Sequence, residues 1–383
     1  MTDTPRCRVV QVTMGRFNQF DLARQMQRHG MLERLIVGYP RWKMRGEGLP
    51  DEAISCFPYV TLVRSAAVRA GLARAWLKRE LTWRAQQAID RYAARILPDC
   101  DVVVAQSGQG LAVGRAARAR GIKHVCHRGS CHIRTQRDLM VDEYRKWGLP
   151  SFELDARTLA KEEREYHEAD LITVPSEFAR QTFLDQGLSP EKVRKTPYGV
   201  DLRRFAKSGD PDPEAFDVLF VGQLCLRKGV PYLLQAFRQL RHRRKRLRLV
   251  GRVTPEVKSM VNRERAHGDI ELYGHLPLGK IPQLMSTSHV LVLPSIEEGF
   301  AKVQSEAMAC GTPVIGSRNS GARDLFTDGR EGFVIEPGDP DVLADRMQRL
   351  ADDPSFRAEL ARRSQERVTR LNGWDDYGDQ VRD

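Results

Sequence analysis

The sequence predicts two doubly wound, Rossmann-like α/β domains facing each other across a cleft. Short β-branched runs alternate with helical stretches over most of the chain, and the alternation is broken once, between Phe205 and Phe216, by a polar stretch without periodicity. Near-continuous apolar strands separated by helices imply parallel sheets covered on both faces. With 383 residues, 41% of them hydrophobic, the chain can bury two cores rather than one.

In the first series Arg8–Met14, Leu32–Tyr39, Tyr59–Val63, Asp101–Gln106, His124–His127 and Leu171–Pro175 read as buried strands. Residues 1–204 are therefore assigned to one domain. Residues 205–216 contain AKSGDPDPEA, whose Pro, Gly and Asp content is that of an interdomain linker. Strands at Val218–Val221, Leu247–Val250, Ile270–Tyr273, Val290–Leu293, Pro313–Gly316 and Gly332–Ile335 then assign residues 217–370 to a second domain. The tail, 371–383, is expected to cross back to the first.

The excess of 62 Lys+Arg over 50 Asp+Glu, a net charge of +12, favours phosphate-rich ligands, anionic membrane surfaces and nucleic acid alike. The N-terminus lacks a charged-then-apolar leader pattern and no run of about 18 apolar residues occurs, so a cytoplasmic protein is expected. Seven cysteines without a CxxC pair argue against a disulfide framework or zinc ribbon. The run RHRRKRLR at 241–248 reads as a solvated helix end leading into a strand.

Val290–Gly316 is the most informative stretch. Pro294 and Ser295 end a strand, Glu297-Glu298-Gly299-Phe300 form a loop, and Ala301–Cys310 form a helix stopped by Gly311 and Pro313. Glu306 then lies in the first turns of a helix whose N-terminus points into the cleft, where free N–H groups suit a phosphate and Gly299 permits close approach. Glu306 can accept hydrogen bonds from ribose hydroxyls, and Glu298 from a sugar. Taken alone, the pair reads more readily as solvated acids favoured by the helix dipole, and it is the surrounding sequence that favours a site. Upstream, Val218–Val221 runs into Gly222-Gln223-Leu224-Cys225-Leu226-Arg227-Lys228-Gly229 and then a helix. Arg227 and Lys228 there suit a diphosphate that gains charge as its bond breaks.

These segments closely resemble glycosyltransferase family four. PSIEEGFAKVQSEAMACGTPVI is similar to its paired-glutamate signature and VGQLCLRKGVPYLLQAF to its phosphate loop, and TPYGVDLRRF, YGHLP and GWDDYG add to the likeness. The resemblance implies the GT-B fold, a nucleoside-diphosphate-sugar donor, retention of anomeric configuration, and neither metal nor further cofactor. It assigns Glu306 to the ribose, Glu298 to the transferred sugar, Arg227 and Lys228 to the diphosphate, with Gly222 in that loop. It gives Gly299 and the backbone of Phe300, Ala301, Lys302 and Val303 to the sugar and phosphates. Gln223 stands where Arg is commoner, which shifts diphosphate charge onto Arg227 and Lys228, and Ala301 stands where Gly is commoner, which alters the loop geometry while keeping its N–H donors.

In the first domain the resemblance places a glycine-containing loop after the first strand, Met14-Gly15-Arg16-Phe17-Asn18, from which Arg16 can reach the donor phosphate. Gly15 reads equally as a plain turn. The stretch His124–His132 ends a strand, where active-site loops gather. His127 is the expected contact to the transferred sugar, with His132 second. The spacing of Cys126, Cys131 and the histidines fits no standard metal-ligand set. Arg64–Arg95 is basic and carries Trp76 and Trp83, which suits either contact with an anionic membrane bearing lipid-linked acceptors or packing within its own domain.

The expected activity is retaining transfer from a nucleotide sugar to a glycan or lipid-linked saccharide in cell-envelope polysaccharide assembly. The rivals are a sugar-nucleotide epimerase of the same shape, and a basic nucleic-acid-binding protein, for which the sequence holds no recognised module. No nucleic-acid partner is expected.

Overall fold

The computed structural model describes residues 7–59, 62, 63, 66, 75–371 and 373–382. Its first sheet comprises β1 (Val9–Thr13), β2 (Leu32–Val37), β3 (Ile54–Cys56), β4 (Val102–Gln106), β5 (Lys123–His127), β6 (Leu171–Val174) and β7 (Val193–Lys195), in the order β3-β2-β1-β4-β5-β6-β7. The second comprises β8 (Phe216–Val221), β9 (Lys245–Val250), β10 (Ile270–Gly274), β11 (Val290–Leu293), β12 (Val314–Ser317) and β13 (Phe333–Ile335), in the order β10-β9-β8-β11-β12-β13. All pairings between these strands are parallel. Residues 206–215 run between the two sheets without helix or strand.

Each sheet reverses its strand order once, between β1 and β4 and between β8 and β11. Such reversals leave a crevice beyond the strands' carboxyl ends, because neighbouring crossovers leave to opposite faces. The loops after β8 and β11, neighbours at the second sheet's reversal, therefore lie side by side. The strands reach this point as apolar runs: all four residues of β11 and the first five of β8 are buried.

Three local readings need correction. The strand expected at Tyr59–Val63 lies earlier, at Ile54–Cys56; Tyr59, Leu62 and Val63 are helical, and the Leu62 N–H donates to the Pro58 carbonyl (2.8 Å). Pro58 presets the φ of a helix start, and these apolar side chains are exposed, so no sheet face rewards their β-propensity. Val60 and Thr61 lie outside the described residues. β7 went unread because only Val193 of its three residues is buried. The basic run is no helix end: Arg246 and Arg248 lie on β9 and pair with fully buried Asp217 of β8 at 2.5 and 2.7 Å.

At the other end of the chain the helix Trp374–Arg382 lies against the helix Gln19–Arg28 of the first sheet's layer. Gln25 Nε2 donates to Asp375 (3.1 Å) and Arg28 Nη2 to Asp379 (2.5 Å). Tyr198, in the segment that leaves the first sheet, meets Trp374 and Tyr377 ring to ring, and also Phe300 from the loop after β11.

The loops after β8 and β11 touch at Gly229. Its φ is 69° and a Cβ there would fall inside the Pro294 carbonyl. Gly229→Ala is expected to lower stability by about 1–3 kcal/mol, read as a lower urea midpoint at unchanged slope.

Candidate functional site

The loop after β8 tightens into a helical turn, Leu226–Lys228, before the helix Val230–Gln239 begins. The Arg227 carbonyl accepts from the N–H of Ile296 (2.9 Å), which ties this turn to the loop after β11. The side chains follow the same path. Arg227 Nη1 donates to the Glu297 carbonyl (2.9 Å) and to Glu298 Oε2 (3.1 Å), and Lys228 Nζ reaches the same Glu298 oxygen. Burial opposes charge on Glu298, but Lys228 and Arg227 outweigh it and hold the carboxyl below its ordinary value. Glu298 is an anion clamped by two cations.

The helix Lys302–Ala309 starts directly behind this loop. Lys302 and Glu306 lie one turn apart and line a cavity of about 930 Å³, whose opposite wall is formed by Arg16, Phe17 and Asp21 of the first domain. Lys302 Nζ approaches Asp21 (3.9 Å) across it and lies 5.4 Å over the Trp374 ring. Arg16 is 59% exposed and pairs with Glu47 at 2.5 Å. The Gly15 N–H bonds to Thr13 Oγ1 (3.2 Å), closing the turn that delivers Arg16. Thus Glu306 and Arg16 meet at one cavity, Arg227, Lys228 and Glu298 form one cluster, and the elements carrying both groups are contiguous.

Two family profiles match successive parts of the chain: Glycosyltransferase Family 4 over residues 20–204 and Glycosyl transferases group 1 over residues 203–367. The chain belongs to glycosyltransferase family four. It is 29% identical over 222 residues to the D-inositol 3-phosphate glycosyltransferase of Pseudarthrobacter chlorophenolicus, a match covering 54% of this chain and 53% of that protein. It is also 29% identical over 148 residues to the alpha-D-kanosaminyltransferase of Streptomyces kanamyceticus, covering 38% of each. The chain thus spans about half the length, or less, of the curated relatives it matches. Anabaena HepE, solved with UDP, superposes with a TM-score of 0.71 at 16% identity, covering 98% of both chains. Sucrose-phosphate synthase of Thermosynechococcus elongatus also superposes with a TM-score of 0.71, at 20% identity, over 98% of this chain and 97% of that one. The fold of this family-four chain is GT-B.

Several expected contacts of the family-four site are corrected by the geometry. His127 is 2% exposed: Nε2 accepts from Asn18 (2.9 Å) and faces Tyr198 OH (3.2 Å), so the ring proton sits on Nδ1 and points to Thr173 Oγ1 (2.9 Å). Burial lowers its pKa to about 4. With both nitrogens engaged by Asn18, Tyr198 and Thr173, His127 braces the end of β5. His132 caps the helix Ile133–Lys146, accepting from the Arg134 N–H, and packs on Tyr166 and Phe183. What β5 presents to the cleft is Gly129 and Ser130: a Cβ on Gly299 would strike the Gly129 carbonyl.

The backbone reading narrows as well. The Ala301 N–H donates to the Ser320 carbonyl (3.0 Å) and the Glu298 N–H to that of Asn319 (3.1 Å), while the Phe300 ring is core, edge-on to Tyr198. Lys302 and Val303 remain the amides at the helix start. Gly222, at φ 152°, donates to the Val250 carbonyl (2.9 Å) and is passed closely by Gly251, so it shapes the loop. Arg64, Arg69 and Arg74 lie outside the described residues. Within that stretch, Trp76 is exposed, whereas Trp83 carries the Arg157 guanidinium 5.1 Å from its ring centre. Among the described residues no helix is long and apolar enough to cross a membrane.

Residues missed in the sequence include Asp21, whose pKa burial raises, and Glu297, which is fully buried. Asp21 announced itself only as an acid in a helix's first turn.

Burial raises Glu306 to about 7; Lys302 and Arg204 pull it down and Asp21 pushes it further up. Its folded pKa exceeds the unfolded value of about 4.5, so the folded chain holds the proton more tightly. The resulting stability is present at pH 4 and is lost as pH rises through 7. Glu306→Gln is therefore expected to raise unfolding free energy at pH 8 by on the order of 1–3 kcal/mol and leave it unchanged at pH 4, measured by urea titration at both.

Proposed function

We propose that the chain is a retaining glycosyltransferase that moves a sugar from a nucleoside-diphosphate donor to a glycan or lipid-linked saccharide in cell-envelope polysaccharide synthesis. The observation that carries this reading is one anionic carboxylate, Glu298, clamped by Arg227 and Lys228 at the strand-order reversal, beside a cavity that holds Glu306 and Arg16. A diphosphate lying along the β8 loop meets Arg227 and Lys228 as its charge develops, in a site already organised to receive it. Those two cations supply positive charge without a metal ion. Glu306 accepts from the ribose hydroxyls, and Arg16 reaches the phosphates from the facing domain.

As the cations turn to phosphate, Glu298 is released to the transferred sugar, where its negative charge stabilises the positive anomeric carbon. The acceptor hydroxyl attacks from the face that the diphosphate leaves and passes its proton to the departing phosphate oxygen, giving retention without a protein nucleophile. Binding of UDP by HepE and the transferase activities named for the curated relatives support the same chemistry.

A screen of UDP-, GDP- and ADP-sugars by thermal shift identifies the donor. With that nucleoside diphosphate, Glu306→Ala is expected to weaken binding about 10- to 100-fold, the loss of two hydrogen bonds to a charged acceptor. Binding to the parent should tighten as pH rises through about 7, where Glu306 ionises, and binding to Glu306→Gln should not. Unweakened binding by Glu306→Ala would remove the ribose assignment.

Proton NMR of the product is expected to show the donor's anomeric configuration. An isomerised sugar formed from donor alone would instead mark an epimerase.

A further inference from the structure

Glu297 is 0% exposed, and its partners lie in both domains. Its Oε1 accepts from Ser130 Oγ and from Cys131 Sγ (3.3 Å), both just beyond β5. Its Oε2 accepts from Gln136 Nε2 (2.8 Å) on the helix Ile133–Lys146, and the same oxygen lies 3.4 Å from Arg227 Nη1. A buried carboxylate is costly to strand, so these contacts form or are lost together.

Gln136 is itself held in one orientation. Its Oε1 accepts from Arg128 Nη2 (2.8 Å), while Arg128 Nη1 donates to Glu162 (2.7 Å), which also accepts from Tyr166 OH (2.6 Å). Arg128 and Glu162 are buried in the first domain. The side-chain amide can then only donate towards Glu297. A continuous chain of charge-assisted bonds runs from the first domain's core through Arg128, Gln136 and Glu297 to Arg227.

We infer that Glu297 is a positioning residue: its carboxylate, docked on Ser130, Cys131 and Gln136 of the facing domain, aims Arg227 at the leaving diphosphate only while the cleft is closed. The inference rests on the nucleotide-sugar reading above and adds to it the group that orients the phosphate cation. The geometry supplies the reason such a group is needed. In the free protein Arg227 is shared between Glu297 and Glu298, and Glu298 leaves it when it turns to the sugar. Glu297 is the carboxylate that stays, since its other partners do not take part in the reaction. An opened cleft removes Gln136, Ser130 and Cys131 from Glu297, and the guanidinium loses its fixed support.

Gln136 bonds to Arg128 and Glu297 and meets Arg227 only through the latter's Oε2, so it tests the route without altering the phosphate loop. The parent chain, Gln136→Leu, Glu297→Gln and Glu306→Ala are titrated calorimetrically with UDP, UMP and uridine, or with the GDP or ADP series if the parent binds that base instead. Gln136→Leu and Glu297→Gln are expected to weaken the diphosphate about tenfold and the nucleoside less than about twofold, whereas Glu306→Ala weakens all three. Thermal midpoints establish that each variant is folded.

Equal loss for diphosphate and nucleoside, or no loss in folded Gln136→Leu, would overturn the inference alone, because the parent still binds. A parent that binds none of the three nucleoside diphosphates overturns the nucleotide-sugar reading, and this inference falls with it.

Discussion

Two adjacent carboxylates share a loop of four residues, Glu297 fully out of water and Glu298 only 17% exposed, and charge so placed is tolerated only with partners at hand. Arg227 and Lys228 meet that need, which requires the loop after β8 to lie against the loop after β11. The backbone enforces the same contact, through the Arg227 carbonyl and the N–H of Ile296. Gly229 removes the one Cβ that would hold the loops apart. Charge balance, loop contact and glycine placement are therefore one constraint, and the orientation of the helix bearing Glu306 follows from it.

Gathering so many buried charges at one junction costs stability. Burial raises the Glu306 carboxyl to about 7, so its ionised form is disfavoured where it lines the cavity. Ribose hydroxyls would supply the donors that the protein does not. A group that is uncomfortable when free and satisfied when bound adds its relief to the binding free energy, which is the usual relation between functional sites and marginal stability. Glu298 differs: its two cations already satisfy it, so its use in catalysis requires an exchange of partners.

Most of the fold was legible because the strands that matter are short apolar runs with strong stops on either side. The loops bearing Arg227, Lys228, Glu298 and Glu306 could be placed for the same reason, since Gly311, Pro313 and Gly229 mark helix ends in the sequence itself. What was not legible depends on partners far along the chain. His127 looked available because nothing beside it shows that Asn18, Thr173 and Tyr198 occupy both its nitrogens. Arg246 and Arg248 looked solvated because their partner, Asp217, lies on a neighbouring strand. Glu297 carried no reading beyond its place in the loop, because the sequence does not show that its side chain turns to Ser130 and Gln136 while that of Glu298 turns to Arg227 and Lys228. Short β7 carries too little periodicity to be read at all.

The contacts joining the two domains differ in kind from one end to the other. Where the chain crosses between them, Tyr198, Phe300, Trp374 and Tyr377 pack ring against ring. At the catalytic loop, the joining groups are Glu297 with Ser130, Cys131 and Gln136. Separating the rings exposes apolar surface at about 25 cal/mol per Å², with no compensation from water. Separating the polar groups trades bonds to a charged acceptor for bonds to water, at a net loss of about 1.5–3 kcal/mol each. The ring contacts therefore hold one end of the joint by apolar burial and the Glu297 contacts hold the other by charge, so the two ends answer to different solvent conditions.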